Sequence, residues 1–103
     1  MKSYSVQITG TAESDIRQVF EYISRDSKLA ATKWVGEIAH QIDTLENFPL
    51  RCEIIPEAGQ LGEKYRHIIY GKYRTIFRIN GTSVIILRVI HSSRLLDQQS
   101  FLT

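Results

Sequence analysis

From residue 64 to residue 94 the chain carries Lys64, Arg66, Lys72, Arg74, Arg78, Arg88 and Arg94 and not one Asp or Glu. His67 and His91 fall in the same stretch. A field of one sign draws in phosphate groups or an acidic protein segment. The alternative is a basic sheet whose arginines are simply solvated; so many cations on consecutive strands favour a binding face. The charge is uneven: residues 1–50 hold five Lys/Arg against seven Asp/Glu, and residues 51–103 hold eight against four, so a net +2 conceals a −2 half and a +4 half. Other side chains with chemical potential offer less. Cys52 is the single cysteine, which excludes an internal disulfide framework and a cysteine zinc cluster, and it reads as a small buried apolar residue rather than a nucleophile. His40, between Ile38 and Ile42, reads as solvated, and His67 as packing at the core edge. Trp34 lies in an apolar stripe and reads as core rather than as a stacking platform. Nothing in the pattern calls for a metal or a cofactor.

The elements that position these residues can be read from periodicity. Tyr4, Val6 and Ile8 alternate with Ser5 and Gln7, the pattern of a short strand. Thr11 offers an N-cap, with Glu13 and Asp15 in the first turn, and Ala12, Ile16, Val19, Phe20 and Ile23 form one helical stripe ending near Arg25. Asp26 or Ser27 caps a second helix, whose stripe is Ala31, Trp34, Val35, Ile38, Ile42 and Leu45 and whose end is set by Pro49. The short link between them implies an antiparallel helical hairpin. Residues 50–64 read as loop, with Ile54 and Ile55 as a short strand or a plug at the core edge. Three strands follow, at 65–70, 73–80 and 83–91, joined by a two-residue turn at Gly71-Lys72 and a turn at Asn80-Gly81. The tail from residue 92 to 103 reads as partly helical or frayed.

The order β-α-α-β-β-β segregates helices from strands and predicts an α+β fold, a helical hairpin packed on a mainly antiparallel sheet. Hairpin registers then assign faces. Ile68, Tyr70, Tyr73, Thr75, Phe77, Ile79, Val84, Ile86 and Ile90 should meet the helices, with Arg66 and Arg88 reaching the rim. Tyr65, His67, Ile69, Arg74, Ile76, Arg78, Ile85, Leu87, Val89 and His91 should form the other face, too apolar to stay bare. At 103 residues the chain is expected to be a single domain, 1–103, with ordinary globular composition. No apolar run approaches the roughly 18 residues that a bilayer span needs, and the N-terminus has no apolar signal core, so a cytoplasmic protein is expected.

These residues in this order resemble the RelE/ParE superfamily of type II toxin–antitoxin toxins. The likeness rests on Ala12–Asp15–Ile16 and Tyr22-Ile23 in the first helix, Leu45-x-x-Phe48-Pro49, Pro56-Glu57, Tyr65-Arg66, the run Gly71-Lys72-Tyr73-Arg74-Thr75-Ile76-Phe77-Arg78-Ile79, and the ending Val89-Ile90-His91-Ser92-Ser93-Arg94. The resemblance implies a toxin neutralised by an antitoxin encoded beside it; the acid-free stretch is then expected to supply Arg66, Lys72, Arg74, Arg78 and Arg94 as residues binding target or antitoxin.

Two branches of the superfamily imply different targets. In the RelE/YoeB-like branch, ribosome-dependent and metal-independent mRNA cleavage needs a base, a phosphate clamp and an acid. By resemblance, Glu57, Arg74 and His91 would fill those roles. Ile68 and Ser92, however, stand where RelE-type nucleases carry charge, and residues 92–103 hold no tyrosine. In the ParE-like branch the target is DNA gyrase, and His91-x-x-Arg94 fits its usual ending. The resemblance therefore favours the gyrase branch. A non-toxic relic that only docks a partner peptide is the third reading.

Overall fold

Ser5–Ile8 forms β1 and runs directly into α1, Gly10–Ser24. The computed structural model describes residues 3–97. The N-cap of α1 is Thr9, not Thr11 as the sequence suggests: its hydroxyl accepts the Ala12 N–H at 3.1 Å. Thr9 also donates its N–H to the Ile86 carbonyl, so the cap and the end of the strand pairing are the same residue. Ser27 caps α2, Lys28–Thr44, in the same way, accepting the Ala30 N–H.

The four strands are ordered β1-β4-β3-β2, where β2 is Arg66–Tyr70, β3 Tyr73–Asn80 and β4 Ser83–His91. β1 pairs in parallel with β4, and the other two pairings are antiparallel. Both hairpins close on two-residue loops that begin with glycine, Gly71 at φ 57° and Gly81 at φ 62°. A positive φ at that position is one that only glycine adopts without strain.

On one face of the sheet lies the main core. Trp34, Ile38, Ile42 and Leu45 of α2 and its end pack with Phe77, Val84, Ile86 and Val89. Trp34 meets Tyr73 edge-on, ring centroids 5.3 Å apart. Val19 and Ile23 are half-buried against this core, and Phe20, expected inside, is only half-buried.

The register corrects the expected faces in one place. β3 and β4 pair regularly from the turn to Phe77↔Ile86, but the next pair is Ile76↔Arg88, leaving Leu87 as an extra residue. One extra residue reverses the side-chain alternation of everything beyond it. Val89 therefore faces the helices and Ile90 the opposite side, the reverse of the sequence-based assignment. His91, now opposite Tyr73, lies on the helix side, its ring 5.6 Å from the Tyr73 ring.

The second face is covered as well. Ile55, Ile76, Ile90 and Leu96 form a smaller buried cluster, flanked by Tyr65 and by Ala58 and Leu61 of the one-turn helix α3, Ala58–Leu61. Ile55 is the plug that the sequence suggests, Ile54 makes an isolated bridge to Arg66, and α3 lies in a stretch that reads as plain loop. The tail is a turn followed by irregular chain through residue 97; the expected helix or fraying beyond it lies outside the described residues. Among the described residues no helix is long and apolar enough to cross a membrane.

Replacing Trp34 by Ala should cost about 3–5 kcal/mol, the range for deleting a large buried aromatic. Denaturant melts read by circular dichroism will check it. A wild-type midpoint would contradict its place in the core.

Candidate functional site

β3 is an inner strand of the sheet, so a residue on it is paired on both sides, as Arg74 is with Ile69 and Ile90. Arg74 is 3% exposed. The sequence places it on an open face; the structure encloses it, because α3, the preceding loop and the tail cover that face. Its guanidinium forms a fork with the Glu57 carboxylate, Nη1 to Oε1 at 3.2 Å and Nη2 to Oε2. Nη2 also donates to the Arg94 carbonyl at 2.7 Å. Glu57 Oε2 in turn accepts the Leu96 N–H at 2.9 Å.

His67 extends the network on the neighbouring strand. Nδ1 lies 3.2 Å from Arg74 Nη1 and Nε2 lies 3.0 Å from Glu53 Oε1. An arginine N–H can only donate, so Nδ1 is the acceptor and the ring proton sits on Nε2 toward Glu53. Expected as edge packing, His67 is buried, but its polar links were not legible because Glu53 lies in a loop.

Glu57, 7% exposed, is therefore no solvated loop carboxylate. The Arg74 guanidinium holds its carboxyl at about 2 instead of 4.5; the Leu96 amide acts in the same direction, and burial opposes them.

The other expected site residues are distributed differently. His91 is exposed on the helix side, and its Nδ1 accepts the Ser93 N–H at 3.1 Å, leaving Nε2 as the protonated nitrogen of the neutral ring. Sequence brings Glu57, Arg74 and His91 into one constellation; the structure joins the first two and puts the third across the sheet. Arg66 donates to the Cys52 carbonyl at 2.6 Å. Arg88 forms a fork with Asp15 of α1, at 2.7 and 3.0 Å, and Asp15 Oδ2 also accepts the Val89 N–H. That pair was not foreseen: Asp15 reads in sequence only as a first-turn acid. Lys72 and Arg94 are exposed and Arg78 is half-buried.

Burial pushes the Cys52 thiol up, which Arg51 and Arg66 only partly offset, as suits an unreactive packing residue. Among the described residues no three His, Cys, Asp or Glu side chains gather as a metal site.

The comparisons with known proteins agree on the architecture. The family model described as the ParE toxin of the type II toxin–antitoxin system parDE matches residues 6–96. The chromosomal ParDE toxin–antitoxin system from P. aeruginosa is similar in fold, with a TM-score of 0.67 at 20% identity over 86% of this chain and 96% of that one. The RelBE2 toxin–antitoxin complex from Mycobacterium tuberculosis is similar with a TM-score of 0.58 at 26% identity, over 86% and 98% of the two chains. No curated protein matches the sequence.

Because Glu57 is more acidic folded than unfolded, its contribution to stability is complete above about pH 4.5 and is lost as pH falls through about 2. Glu57→Gln, which leaves Arg74 buried without its counter-charge, should cost about 3–5 kcal/mol at pH 7. It should also flatten the acid limb of stability against pH, measured by urea melts from pH 7 downward. An unchanged acid limb would contradict the pairing.

Proposed function

The chain belongs to the ParE toxin family of type II toxin–antitoxin systems, within the RelE/ParE superfamily, and from that premise we propose that it arrests growth by acting on DNA gyrase rather than by cutting mRNA on the ribosome. The observation that carries the reading is the commitment of Arg74. Cleavage of RNA without a metal needs base, phosphate clamp and acid gathered about one scissile phosphate. Here the candidate clamp and the candidate base neutralise each other inside the protein. The candidate acid, His91, faces the other way. Neither the guanidinium of Arg74 nor the carboxylate of Glu57 can meet a phosphate without abandoning a buried partner.

The side chains left for a target are at the rim. Lys72 at the β2–β3 turn lies beside the end of β4, since the Ser92 N–H donates to the Lys72 carbonyl at 2.7 Å. Arg94 follows within the same turn, its N–H donating to the His91 carbonyl. Lys72, His91 and Arg94 thus share one end of the sheet, and we assign target contact to them, with Arg78 on the far face.

The second partner is an antitoxin from a neighbouring gene. Its acidic segment finds anchors in Lys72, Arg78 and Arg94 rather than in Arg66 and Arg74, whose guanidinium groups are taken up internally. Exposed charge pairs are screened by salt. Antitoxin affinity should therefore fall as salt rises from about 50 to 500 mM in a calorimetric titration; constant affinity would remove the electrostatic component.

Purified toxin should block supercoiling and trap cleaved DNA when gyrase is present, and Arg94→Ala should weaken this roughly 10–100-fold, the worth of one charge-assisted hydrogen bond. Codon-positioned mRNA cuts on ribosomes, lost on His91→Ala, would overturn the reading in favour of the nuclease. Unimpaired growth on induction without the antitoxin would overturn it in favour of a relic.

A further inference from the structure

The Glu57–Arg74 pair does more than neutralise itself. Its two members read both polarities of one short piece of backbone: the carboxylate takes the N–H of Leu96 and the guanidinium takes the C=O of Arg94. A neighbouring strand would supply the same donor and acceptor, but among the described residues no strand lies there. The Leu96 side chain completes the hold, 4% exposed among Ile55, Ile76 and Ile90. Residues 94–96 are thereby fastened to the inner strand β3 and the cluster beside it at two polar points and one apolar point. Leu95 between them is 77% exposed, so the fastening acts on alternate residues, as a strand pairing would.

We infer that Glu57, Arg74 and Leu96 are positioning residues, a clasp that fixes the chain after β4 so that the side chains of His91 and Arg94 are presented to the target in one geometry. The inference rests on the assignment of target contact to that end of the sheet. It does not depend on whether the target is gyrase. The links are short ones. Arg94 is itself the residue whose carbonyl is clasped. Its N–H closes the turn onto His91, and the Ser92 N–H ties that turn to Lys72. With the clasp open, Arg94 would be held by the turn alone, through its two backbone bonds and the Ser93 N–H to His91 Nδ1 bond, all among exposed residues.

The clasp needs fork geometry, not charge alone. A lysine at position 74 keeps the positive charge but offers a single ammonium point. It cannot serve both Glu57 oxygens, His67 Nδ1 and the Arg94 carbonyl together. A direct phosphate contact would tolerate that change far better. Leu96 separates the two roles further, because it carries no charge and leaves the ion pair in place.

The test combines two readouts on the full chain. Hydrogen exchange at the Leu96 amide reports the clasp, and growth arrest on induction reports toxicity whatever the target. Arg74→Lys, Glu57→Gln and Leu96→Ser should each speed Leu96 exchange roughly tenfold or more while amides of the Phe77 region stay protected. The three should lose growth arrest in the order of that acceleration, and Lys33→Ala, on the exposed side of α2, should change neither readout. Glu57→Gln can unfold the protein outright; Leu96→Ser then carries the test, since it spares the buried charges. The inference is overturned if Leu96→Ser frees the amide yet arrests growth like the parent chain. It is equally overturned if Arg74→Lys keeps the amide protected and still abolishes arrest, for Arg74 would then act by contact. Absence of any effect on gyrase would overturn the proposed target and leave these two readouts to judge the clasp by themselves.

Discussion

β4 holds one residue more than β3 has partners for, and the rest of the architecture follows from where that residue sits. Leu87 falls between Ile86 and Arg88, the point at which β1 stops pairing with β4. Beyond Ile86 the outer edge of β4 has no strand neighbour among the described residues, and its backbone groups need other partners. α1 supplies them. The Thr9 hydroxyl donates to the Ile86 carbonyl, and Asp15 accepts the Val89 N–H while pairing with Arg88. The bulge brings Val89, a compact branched residue, under the helices. A regular register would have put Arg88 and Ile90 there instead. The same shift carries His91 to the helix side and separates it from Arg74.

A buried ion pair is a poor source of net stability, because removing two charges from water costs much of what their attraction returns. What the Glu57–Arg74 pair adds is discrimination. The second hydrophobic cluster is small, four buried side chains with a few half-buried neighbours, and apolar contacts alone would let the tail slide along it. Two charges that each demand a particular backbone group permit one register only. The arrangement joins three segments distant in sequence: the loop at Glu57, the start of β3, and the chain after β4. Each contributes a group that the other two need, so loosening any one of them exposes the rest.

The element order, the helical hairpin, the two glycine turns and the helix-facing core residues from Trp34 to Ile86 were all legible in the sequence, since each rests on a local period or a local turn residue. The family likeness was legible too, through an ordered set of short pieces. What was not legible depends on the third dimension. No local signal marks Leu87 as an extra residue, because a bulge is defined by the partner strand. Arg74 reads as exposed only if nothing covers the second face, and the cover comes from α3 and from Leu96, neither of which has a periodic pattern long enough to announce itself. Thr11 stands closer to the apolar stripe and so reads as the cap; the helix starts earlier because Thr9 is also where the pairing of β1 ends.

The absence of acids between residues 64 and 94 describes the sequence, and in space it is misleading. Arg74 meets Glu57, Arg88 meets Asp15 and Arg66 meets a backbone carbonyl, so three of the seven cations in that stretch are matched by oxygen atoms from outside it. An attractive field remains, carried by side chains such as Lys72 and Arg94 at the rim, but it is weaker and more local than the composition suggests. Such a field acts over about a Debye length, near 8 Å at physiological salt, and phosphate attraction by itself carries no sequence information. It can hasten an encounter with any polyanionic assembly. On the proposed assignment of target contact, selectivity comes from the fixed geometry of a few rim side chains, and that geometry depends on how firmly the chain after β4 is held.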